Sequence, residues 1–535
     1  MRQRKGPATG PWLLAVLFVP PLVMALLLGP ARASRIAMAS AATAVLERMP
    51  PEEPVHRIPV IDIEVDPATW NKVAAGLPWS GDQRMDATLV HEGMRYPGSL
   101  KFRGAFATTH YLGNKKSFRI NLKRDNPFAP CRRLNVVNPK AQNMVNAHMA
   151  LWLAARMGVL TPYDELVFLR RNGEDVGVME LYEQIGGDVL RNRHLATGDV
   201  PVFRGDYPPI TGRQLPPSRP LWARPEHWAF MGDADSTAAR ARLAQLLALV
   251  RRPVLTDAAR DSLASLIDVE AFLRFSAAIT VAGTTHIDNY HNQWLVEAPG
   301  DGRFHPVFWD ALLLYGPDTA AFYPIHDALA HHLLSEARWR LQRDRYVHEA
   351  LDRHLLSGDF HRALAEVCER IRPSMLADRN KNAVVSDQPQ DVYRISALHV
   401  AASADKLAKR MHAHARQLSE RQRIEGARIQ RSPADISLNW EGPSAMRITW
   451  TGDTAMAPNV EGEAVVIERA WNDGVWNVVL APRVEHSAGT GDKPFTDGQQ
   501  WLPRPTRVFI RFSGPAPQAF TCTHAVTGEV IHAGR

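Results

Sequence analysis

Residues 286–310 read HIDNYHNQWLVEAPGDGRFHPVFWD, and they hold the clearest structural pattern of the chain. Two apolar-rich segments, residues 292–298 and 303–309, flank a proline-, glycine- and aspartate-containing turn at 299–302. Such a pattern is typical of a β-hairpin, because proline and glycine favour tight turns and alternating apolar residues favour strands. We therefore predict two antiparallel strands joined by this turn.

Pairing across this hairpin brings polar side chains together at its open end. With the turn centred just after Gly300, antiparallel pairing sets Asn292 opposite Trp309. Asp310 then emerges beside Asn292, and Asp288 lies in the loop just before the first strand. Carboxylate and amide oxygens are ligands that Mg²⁺ prefers, with phosphate oxygens completing its shell. The sequence therefore predicts a magnesium site at the open end of the hairpin.

The order of these residues matches the catalytic segment of protein kinases, in which a catalytic Asp precedes an Asn ligand, a hairpin and a second metal-binding Asp. His286-Ile287-Asp288 takes the place of the H-R-D triplet. One departure is that Asp288 and Asn292 are four positions apart, where the kinase motif has five. The alternative interpretation is that Asp288 and Asn292 only cap a turn and that Asp310 only ends a strand.

A predicted strand over residues 116–123 supplies lysines far upstream of the hairpin. Apolar residues alternate with polar ones from Phe118 to Leu122, and extending this alternation predicts that Lys116 points inward while Lys115 points outward. An inward lysine together with the hairpin residues favours a catalytic site over isolated structural roles.

Seven segments, taken in order, resemble the CotH kinase family, which is named for a spore-coat protein. They are FRGAF (102–106), KKSFRINLK (115–123), the helix ending at 157–158, GVMELYEQI (177–185), VFRGD (202–206), DNYHN (288–292) and FWD (308–310). The resemblance extends from about residue 57 to 427. It implies a kinase that binds ATP and Mg²⁺ and phosphorylates Ser or Thr of proteins.

The resemblance also implies a role for each candidate residue. Asp288 would be the catalytic Asp, and Asn292 and Asp310 would be the metal ligands. Lys116 would contact the nucleotide phosphates. Glu183 would lie on the interlobe segment near the nucleotide.

Two arginines are further candidates for nucleotide-phosphate contacts. Arg103 follows a predicted strand in the FRG triplet, and Arg119 lies within the strand, so turn and solvent-facing roles are the alternatives. The second acidic residue that follows the W-D pair in the family is absent, because Ala311 and Leu312 come next. A pseudokinase or envelope scaffold is therefore one alternative function, and a transferase of AMP or an amino-acid group is another.

The succession of elements predicts an α+β chain with several regions. The family resemblance implies a divergent two-lobed protein-kinase-like fold over residues 57–430, with a mixed N-lobe sheet at 57–185 and a mostly helical C-lobe at 186–430. An all-β, sandwich-like module is expected over 431–535. A connector over 34–56 precedes the kinase-like domain.

Periodicity and turn signals predict the individual elements of these regions. They are a strand at 59–65, two strands within 87–102, a helix at 142–157, a hairpin of 165–170 and 177–182 around Asn172-Gly173, a proline-rich loop at 201–225, and helices within 236–285 and 326–427.

The N-terminus has the layout of an export signal. Basic residues at positions 2, 4 and 5 precede an apolar run at 11–28 and the small-residue sequence Ala31-Arg32-Ala33. We expect residues 1–33 to be a signal peptide or an N-terminal membrane anchor. The protein is then exported and extracytoplasmic, either secreted or tethered to the cytoplasmic membrane, and it acts on a protein substrate there.

Composition narrows the classes of partner. The net charge is +7, but basic residues are interleaved with acidic ones, which argues against nucleic-acid binding. Three widely separated cysteines indicate neither a zinc site nor a disulfide framework. The spacing of His286, His291 and His305 fits no common zinc motif, although a metal-dependent hydrolase is an alternative that uses them. We expect the C-terminal module to bind a partner or an envelope component and to be separable.

Overall fold

The computed structural model describes most of the chain after residue 54. The described residues are 55–104, 110, 115–139, 144–206, 219–232, 236–315, 321–378, 380, 397–487 and 499–534. The expected signal or anchor at 1–33 lies outside them, as does most of the connector. Within this described part, no helix combines the length and the apolar character needed to cross a bilayer.

The described residues form two compact units. Unit 1 takes its residues from 1–145, 165–182 and 366–405, and unit 2 from 146–164, 183–365 and 406–535. The chain therefore passes between the units several times, and one of these passages lies between Tyr182 and Glu183.

Seven strands form a closed barrel that dominates unit 1. They are β1 (Val60–Val65), β2 (Met85–His91), β3 (Met94–Phe102), β4 (Phe118–Leu122), β5 (Arg133–Val137), β6 (Asp164–Arg171) and β7 (Glu174–Glu183). Their order around the barrel is β1-β2-β3-β4-β5-β7-β6, and parallel pairing of β6 with β1 closes the ring. Alternate residues of the strands fill the interior, as Leu100, Ile120 and Leu134 show by their complete burial.

The turn between β6 and β7 confirms the hairpin predicted there. Asn172 and Gly173 have φ angles of 52° and 81°, as a type I′ turn requires at its two central positions. Asn172 also exchanges two hydrogen bonds of 2.9 Å with the backbone of Val65 at the end of β1. The hairpin turn thus helps to join the first and last strands of the barrel.

The predicted two-lobed protein-kinase-like fold is wrong. The described residues contain the closed barrel and four further sheets, so that the class is mainly β rather than α+β with a mixed N-lobe sheet and a helical C-lobe. Closure depends on β1 pairing with β6, more than 100 positions along the chain. Strand periodicity identifies which residues face inward, but it contains no information on which distant strand is the neighbour.

Helices make up much of the remaining chain. In the described residues they are α1 (Pro67–Ala75), α2 (Asn146–Arg156), α3 (Thr237–Val250), α4 (Asp257–Leu266), α5 (Val269–Ala282), α6 (Ala328–Ser335), α7 (Ala337–Ala350), α8 (Asp359–Ala377) and α9 (Ala397–Arg421). Most residues of α5 are buried, which makes it the central helix of unit 2. Asp268 caps its first turn by accepting a hydrogen bond of 2.9 Å from Ala271 N.

A four-stranded sheet of unit 2 carries the residues of the 286–310 stretch. Its strands are β8 (Val202–Gly205), β9 (Trp228–Phe230), β10 (Gln293–Glu297) and β11 (Phe304–Pro306), in the order β11-β10-β8-β9. The expectation of a loop throughout 201–225 is wrong at β8. Val202 and Phe203 are completely buried, and burial of this pair favours a strand despite the neighbouring prolines.

Two sheets near the C-terminus enclose a common apolar core. One has the strand order β12-β13-β20-β15 and the other β16-β17-β14-β21-β22, while β18 pairs with β19. These strands are β12 (Glu425–Arg431), β13 (Asp435–Glu441), β14 (Met446–Thr451), β15 (Asn459–Gly462), β16 (Ala464–Asn472), β17 (Val475–Pro482), β18 (Val484–His486), β19 (Trp501–Pro503), β20 (Thr506–Arg511), β21 (Phe520–His524) and β22 (Val530–Gly534).

Buried polar contacts join these C-terminal sheets to the helices within unit 2. Arg340 of α7 donates to the carbonyl oxygen of Pro482 over 3.0 Å, and His524 pairs with the carbonyl oxygen of Gln422 over 2.8 Å. The hydroxyl of Tyr323 donates to Asp344 over 2.6 Å and lies 3.2 Å from the carbonyl oxygen of Pro443. These contacts argue against the expectation that the module is separable.

We predict that Arg340→Ala destabilises the protein by about 3 kcal/mol. The guanidinium of Arg340 also donates to the carbonyl oxygens of Leu334 and Ser335, so the substitution removes the donor of three carbonyl oxygens. Arg338→Ala, on the same helix but exposed, is the matched control and should change the free energy of unfolding by less than about 0.5 kcal/mol. Urea unfolding of both variants measures the difference, and equal midpoints would show that these contacts contribute little.

Candidate active site

The candidate site lies at one edge of the sheet formed by β8 to β11. β10 and β11 are antiparallel, with Leu295 opposite Pro306, and continuing this register sets Asn292 opposite Trp309. The hairpin and its predicted register are confirmed. Asp310, the next residue after Trp309, therefore lies one position beyond the residue opposite Asn292.

Both predicted metal ligands have an unusual backbone conformation. The φ angles of Asn292 and Asp310 are 60° and 49°. This left-handed region is uncommon for residues other than glycine, and it costs on the order of 1–3 kcal/mol at each position. The backbone thus leaves the extended conformation at both predicted metal ligands. Strain of this kind concentrates at functional sites, where surrounding contacts maintain it.

His286 supplies such contacts by joining the two strand ends. Its Nδ1 forms a hydrogen bond with the carbonyl oxygen of Asp310, so Nδ1 carries a proton and donates. Asn292 Nδ2 donates to the carbonyl oxygen of His286 over 2.9 Å. Since the amide nitrogen faces this carbonyl, the amide oxygen faces the other way and is the atom suited to a cation. His286 is therefore a positioning residue for both Asn292 and Asp310.

Asp288 caps the loop that precedes β10. Its Oδ1 accepts hydrogen bonds from the backbone nitrogens of Tyr290 (2.7 Å) and His291 (3.0 Å) and pairs with His291 Nδ1 over 2.7 Å. The turn-capping role considered as an alternative is thus real. It does not exclude a catalytic role, because all three contacts are made to Oδ1. Oδ2 is the carboxylate oxygen to which a substrate hydroxyl would be directed.

The charge of His291 is coupled to this carboxylate. Burial alone would lower the pKa of His291, but the hydrogen bond that His291 donates to Asp288 and the negative charges of Asp288, Asp206 and Asp310 outweigh it and raise the pKa above its usual value. The surrounding carboxylates thus stabilise the protonated form of His291 relative to an isolated imidazole. The hydrogen bond between the two side chains helps to hold the orientation of Asp288.

Gln293 and Asp327 support the same loop, and the sequence reasoning did not identify them. Gln293 is buried, and its Nε2 donates to the carbonyl oxygen of Asp288 over 3.0 Å and to Asp327 Oδ2 over 2.8 Å. Asp327 in turn caps α6 by accepting from Ala330 N over 2.7 Å. A signal for Gln293 was present, since it lies five positions after Asp288, the spacing of the kinase motif.

Glu183 is fully engaged in structural contacts. Its buried carboxylate pairs with Arg193 Nη2 over 2.8 Å, accepts from Asn192 Nδ2 over 2.7 Å and accepts from Tyr163 N over 3.2 Å. These three partners all belong to unit 2. The carboxylate thus holds the turn at residues 191–193 against the end of β7. Any contact of Glu183 with a nucleotide would therefore involve its backbone rather than its side chain.

The predicted directions of the two neighbouring lysines are wrong. Lys115 is completely buried and forms an ion pair of 2.8 Å with Asp378, whereas Lys116 is only partly buried. The cause is that β4 begins at Phe118, so the strand alternation seen from Phe118 to Leu122 does not extend back to the lysines. Lys116 remains the candidate for phosphate contact, and burial together with the nearby Arg171 lowers its pKa.

The segment that carries Lys116 is anchored on both sides within unit 1. Asp378 Oδ2 also accepts from Val178 N over 3.0 Å. Ser117 N donates to the carbonyl oxygen of His110 over 2.8 Å, and Asn138 N donates to Ser117 Oγ over 3.1 Å. Lys116 therefore projects from a backbone that its neighbours hold in place.

The two candidate arginines lie in unit 1 with other partners. Arg103 forms a hydrogen bond with the hydroxyl of Tyr182, and its guanidinium lies 5.4 Å from the centre of that ring. Arg119 Nε donates to Asn135 Oδ1 over 2.9 Å. In unit 2, the structure brings together Asp288, Asn292 and Asp310. Contacts of Arg103, Arg119 and Lys116 with phosphate stay predictions.

The donor set suits Mg²⁺ better than zinc. His305, one of the three histidines whose spacing was compared with zinc motifs, pairs with Asp268 at 3.7 Å. In the described ranges, no three His, Cys, Asp or Glu side chains converge as a metal centre. An amide oxygen and a carboxylate at one sheet edge fit Mg²⁺, which uses only one or two carboxylates and takes phosphate and water oxygens for the rest.

Two comparisons relate the chain to known proteins. The family model described as CotH kinase protein matches residues 100–417, which is more than half of the chain. The chain is also similar to the inner spore coat protein H of Bacillus subtilis (strain 168), with 22% identity over 279 residues. That alignment covers 50% of this chain and 75% of the relative.

Proposed function

This chain belongs to the CotH kinase protein family, and from that premise we propose that it is an atypical protein kinase dependent on ATP and Mg²⁺. The observation that carries the proposal is the meeting of Asp288, Asn292 and Asp310 at one edge of the sheet, with His286 joining the strand ends. Family membership supports a kinase-like enzyme, and the phosphoryl transfer itself is our proposal.

Each residue would have a separate task in this reaction. Asn292 Oδ1 and the Asp310 carboxylate would hold Mg²⁺, which when bound neutralises the charge of the phosphate oxygens. Asp288 Oδ2 would orient the attacking hydroxyl of the substrate and accept its proton. Lys116 would contact the nucleotide phosphates as a point charge.

The proposed substrate is a Ser or Thr of an exported or cell-envelope protein. The relative from Bacillus subtilis is by its name a protein of the inner spore coat, which supports a site of action outside the cytoplasm. The export signature at residues 1–33 supports the same location. Attachment to the membrane through this segment, and binding of an envelope component by residues 431–535, are further parts of the proposal.

A weak or inactive kinase that serves as an envelope scaffold is the second candidate. It is favoured by Ala311 and Leu312, which follow Asp310 and provide no second carboxylate on that strand. A transferase of AMP or an amino-acid group is a third candidate, because a nucleotide site alone does not determine which bond of ATP is broken.

One experiment separates these candidates. Purified protein is incubated with ATP and Mg²⁺ alone and with a generic acceptor protein such as casein, and the masses of intact proteins and peptides are measured. We expect a gain of phosphate that is lost when EDTA removes the metal. A gain of AMP would support the other transferase. Binding of ATP without any transfer would support the scaffold, and no binding in calorimetry would overturn the nucleotide-dependent function altogether.

A further inference from the structure

We propose that Gln293, the first residue of β10, is a positioning residue that sets the orientation of Asp288 by holding its backbone carbonyl against Asp327. This inference rests on the proposed function, because it concerns how the proposed base is held. The family resemblance assigned no role to Gln293.

The amide group of Gln293 bridges two acceptors. Its Nε2 donates to the carbonyl oxygen of Asp288 over 3.0 Å and to Asp327 Oδ2 over 2.8 Å. Both neighbours are acceptors, so the nitrogen end of the amide must face them, and each of its two hydrogens is used. Only 1% of Gln293 is exposed, so solvent does not replace a lost contact at low cost. The bridge therefore requires an amide at this position.

Asp327 gives this amide a fixed partner. It is buried, and its second oxygen, Oδ1, accepts from Ala330 N over 2.7 Å at the first turn of α6. His326 Nε2 lies 3.5 Å from Oδ2. Since most residues of α6 are buried, Gln293 ties the loop at residues 288–292 to a packed helix of the same unit.

The Asp288 carbonyl controls the direction of the Asp288 side chain. This carbonyl belongs to the peptide plane between Asp288 and Asn289, so holding it fixes the backbone rotation that follows Asp288. The two backbone nitrogens that donate to Asp288 Oδ1, those of Tyr290 and His291, come after this plane. A rotation of the plane would break both hydrogen bonds and release the carboxylate. With the plane held, Oδ1 stays with the loop and Oδ2 is left for the substrate hydroxyl.

The consequence for the reaction is specific to the transfer step. A displacement of about 1 Å in a reacting group can cost about 10²-fold in rate. ATP and Mg²⁺ are assigned to other residues, namely Asn292, Asp310 and Lys116. Loss of the Gln293 bridge should therefore lower the rate of transfer much more than the affinity for ATP.

The test compares two substitutions of Gln293 with a matched control in full-length protein. Gln293→Glu replaces the donor with an acceptor, and Gln293→Met removes the donor without adding a charge. The control is Gln422→Glu, because Gln422 is also in unit 2, is 3% exposed and donates through Nε2 to the carbonyl oxygen of Asp344 over 2.9 Å. The measurements are phosphate transfer to casein, ATP binding by calorimetry, urea unfolding, and hydrogen exchange in peptides that cover residues 288–292.

We expect Gln293→Glu to lower kcat by about 10- to 100-fold and to change the affinity for ATP by less than about 2-fold. The amides of Tyr290 and His291 should exchange about 10-fold faster, because they lose their acceptor. Gln293→Met should act in the same direction, and it serves for all measurements if circular dichroism shows that Gln293→Glu is unfolded. Gln422→Glu should lower the urea midpoint but leave kcat and the exchange of these two amides as in the wild type.

Two results would overturn the positioning role and leave the proposed function standing. One is unchanged exchange of the Tyr290 and His291 amides in both Gln293 variants. The other is an equal loss of kcat in Gln422→Glu, which would attribute the effect to general destabilisation. If the wild type transfers no phosphate, the proposed function fails, and the exchange comparison alone then decides for or against the positioning of Asp288 by Gln293.

Discussion

Asp310→Ala is expected to weaken Mg²⁺-dependent ATP binding and to abolish phosphoryl transfer. Asp310 lies one position beyond the residue opposite Asn292. There its carboxylate would hold the cation against the phosphates. Without it the cation loses a charged ligand, and the phosphate charge in the transition state is no longer offset. The loss of transfer should reach about 10²-fold or more, and calorimetry with and without Mg²⁺ should show that the binding defect depends on the metal.

Asp288→Asn is expected to give a different defect. Asn keeps the size of the side chain and an oxygen that can accept from the backbone of the loop, so ATP binding should stay nearly intact. It removes the group that we propose to accept the substrate proton, and general-base catalysis contributes about 10²- to 10⁴-fold. The rate should therefore fall while the binding of ATP and Mg²⁺ changes little.

Asp301→Ala provides the control for both variants, because it removes a carboxylate at the turn of the same hairpin. It should leave ATP binding and transfer as in the wild type. If ATP and Mg²⁺ bind equally well to the wild type and to Asp310→Ala, the proposed cation site at the hairpin end is wrong. The kinase mechanism derived from it would then be lost as well.

The hairpin could be predicted from the sequence because all of its information is local. The turn at 299–302 fixes which residues face each other, and the register then follows by counting from Gly300. The structure shows this register, with Leu295 opposite Pro306. The positions of Asn292 and Asp310 at the open end of the hairpin could be predicted for the same reason, since both lie within a few residues of its strands.

Strand β8 and Gln293 show why other parts of the structure around the site were not predicted. β8 lies at the start of a proline-rich segment that reads as a loop, so that nothing local indicates its pairing with β10. Gln293 has the kinase spacing from Asp288, but its contacts with the Asp288 carbonyl oxygen and with Asp327, 34 positions away, are not encoded in any local pattern. The pairing of strands that are far apart in the sequence depends on the whole fold. The same holds for the contacts that a buried side chain makes.

The burial of Lys115, which the sequence pattern did not predict, affects the stability of the protein. Extending strand alternation before Phe118 placed Lys115 in solvent, whereas its ammonium group lies 2.8 Å from Asp378 with both side chains completely buried. Asp378 is 263 positions away, so periodicity gives no indication of it. Gly177 makes the approach feasible, because a Cβ at that position would lie 2.2 Å from Asp378 Oδ1.

Asp378→Asn is expected to lower the free energy of unfolding by about 3–5 kcal/mol, because it leaves the Lys115 charge buried without its counter-charge. Asn keeps nearly the same shape and a hydrogen-bond acceptor for Val178 N, so the loss reports charge rather than a cavity. Combining it with Lys115→Met should recover part of the loss, since removing both charges also removes the cost of burying one alone. Urea unfolding of the two single variants and the double variant measures the coupling.

Asp82→Asn is the matched control within the same barrel. Asp82 pairs with Lys101 at 2.6 Å but is 92% exposed, so the change should cost only about 0–1 kcal/mol. The distances of the two ion pairs are similar and only burial differs, which makes the comparison a direct test of the buried pair. If Asp378→Asn unfolds at the same urea concentration as Asp82→Asn, Lys115 is not buried against Asp378. The segment that presents Lys116 would then be held only by the contacts of Ser117 with His110 and Asn138.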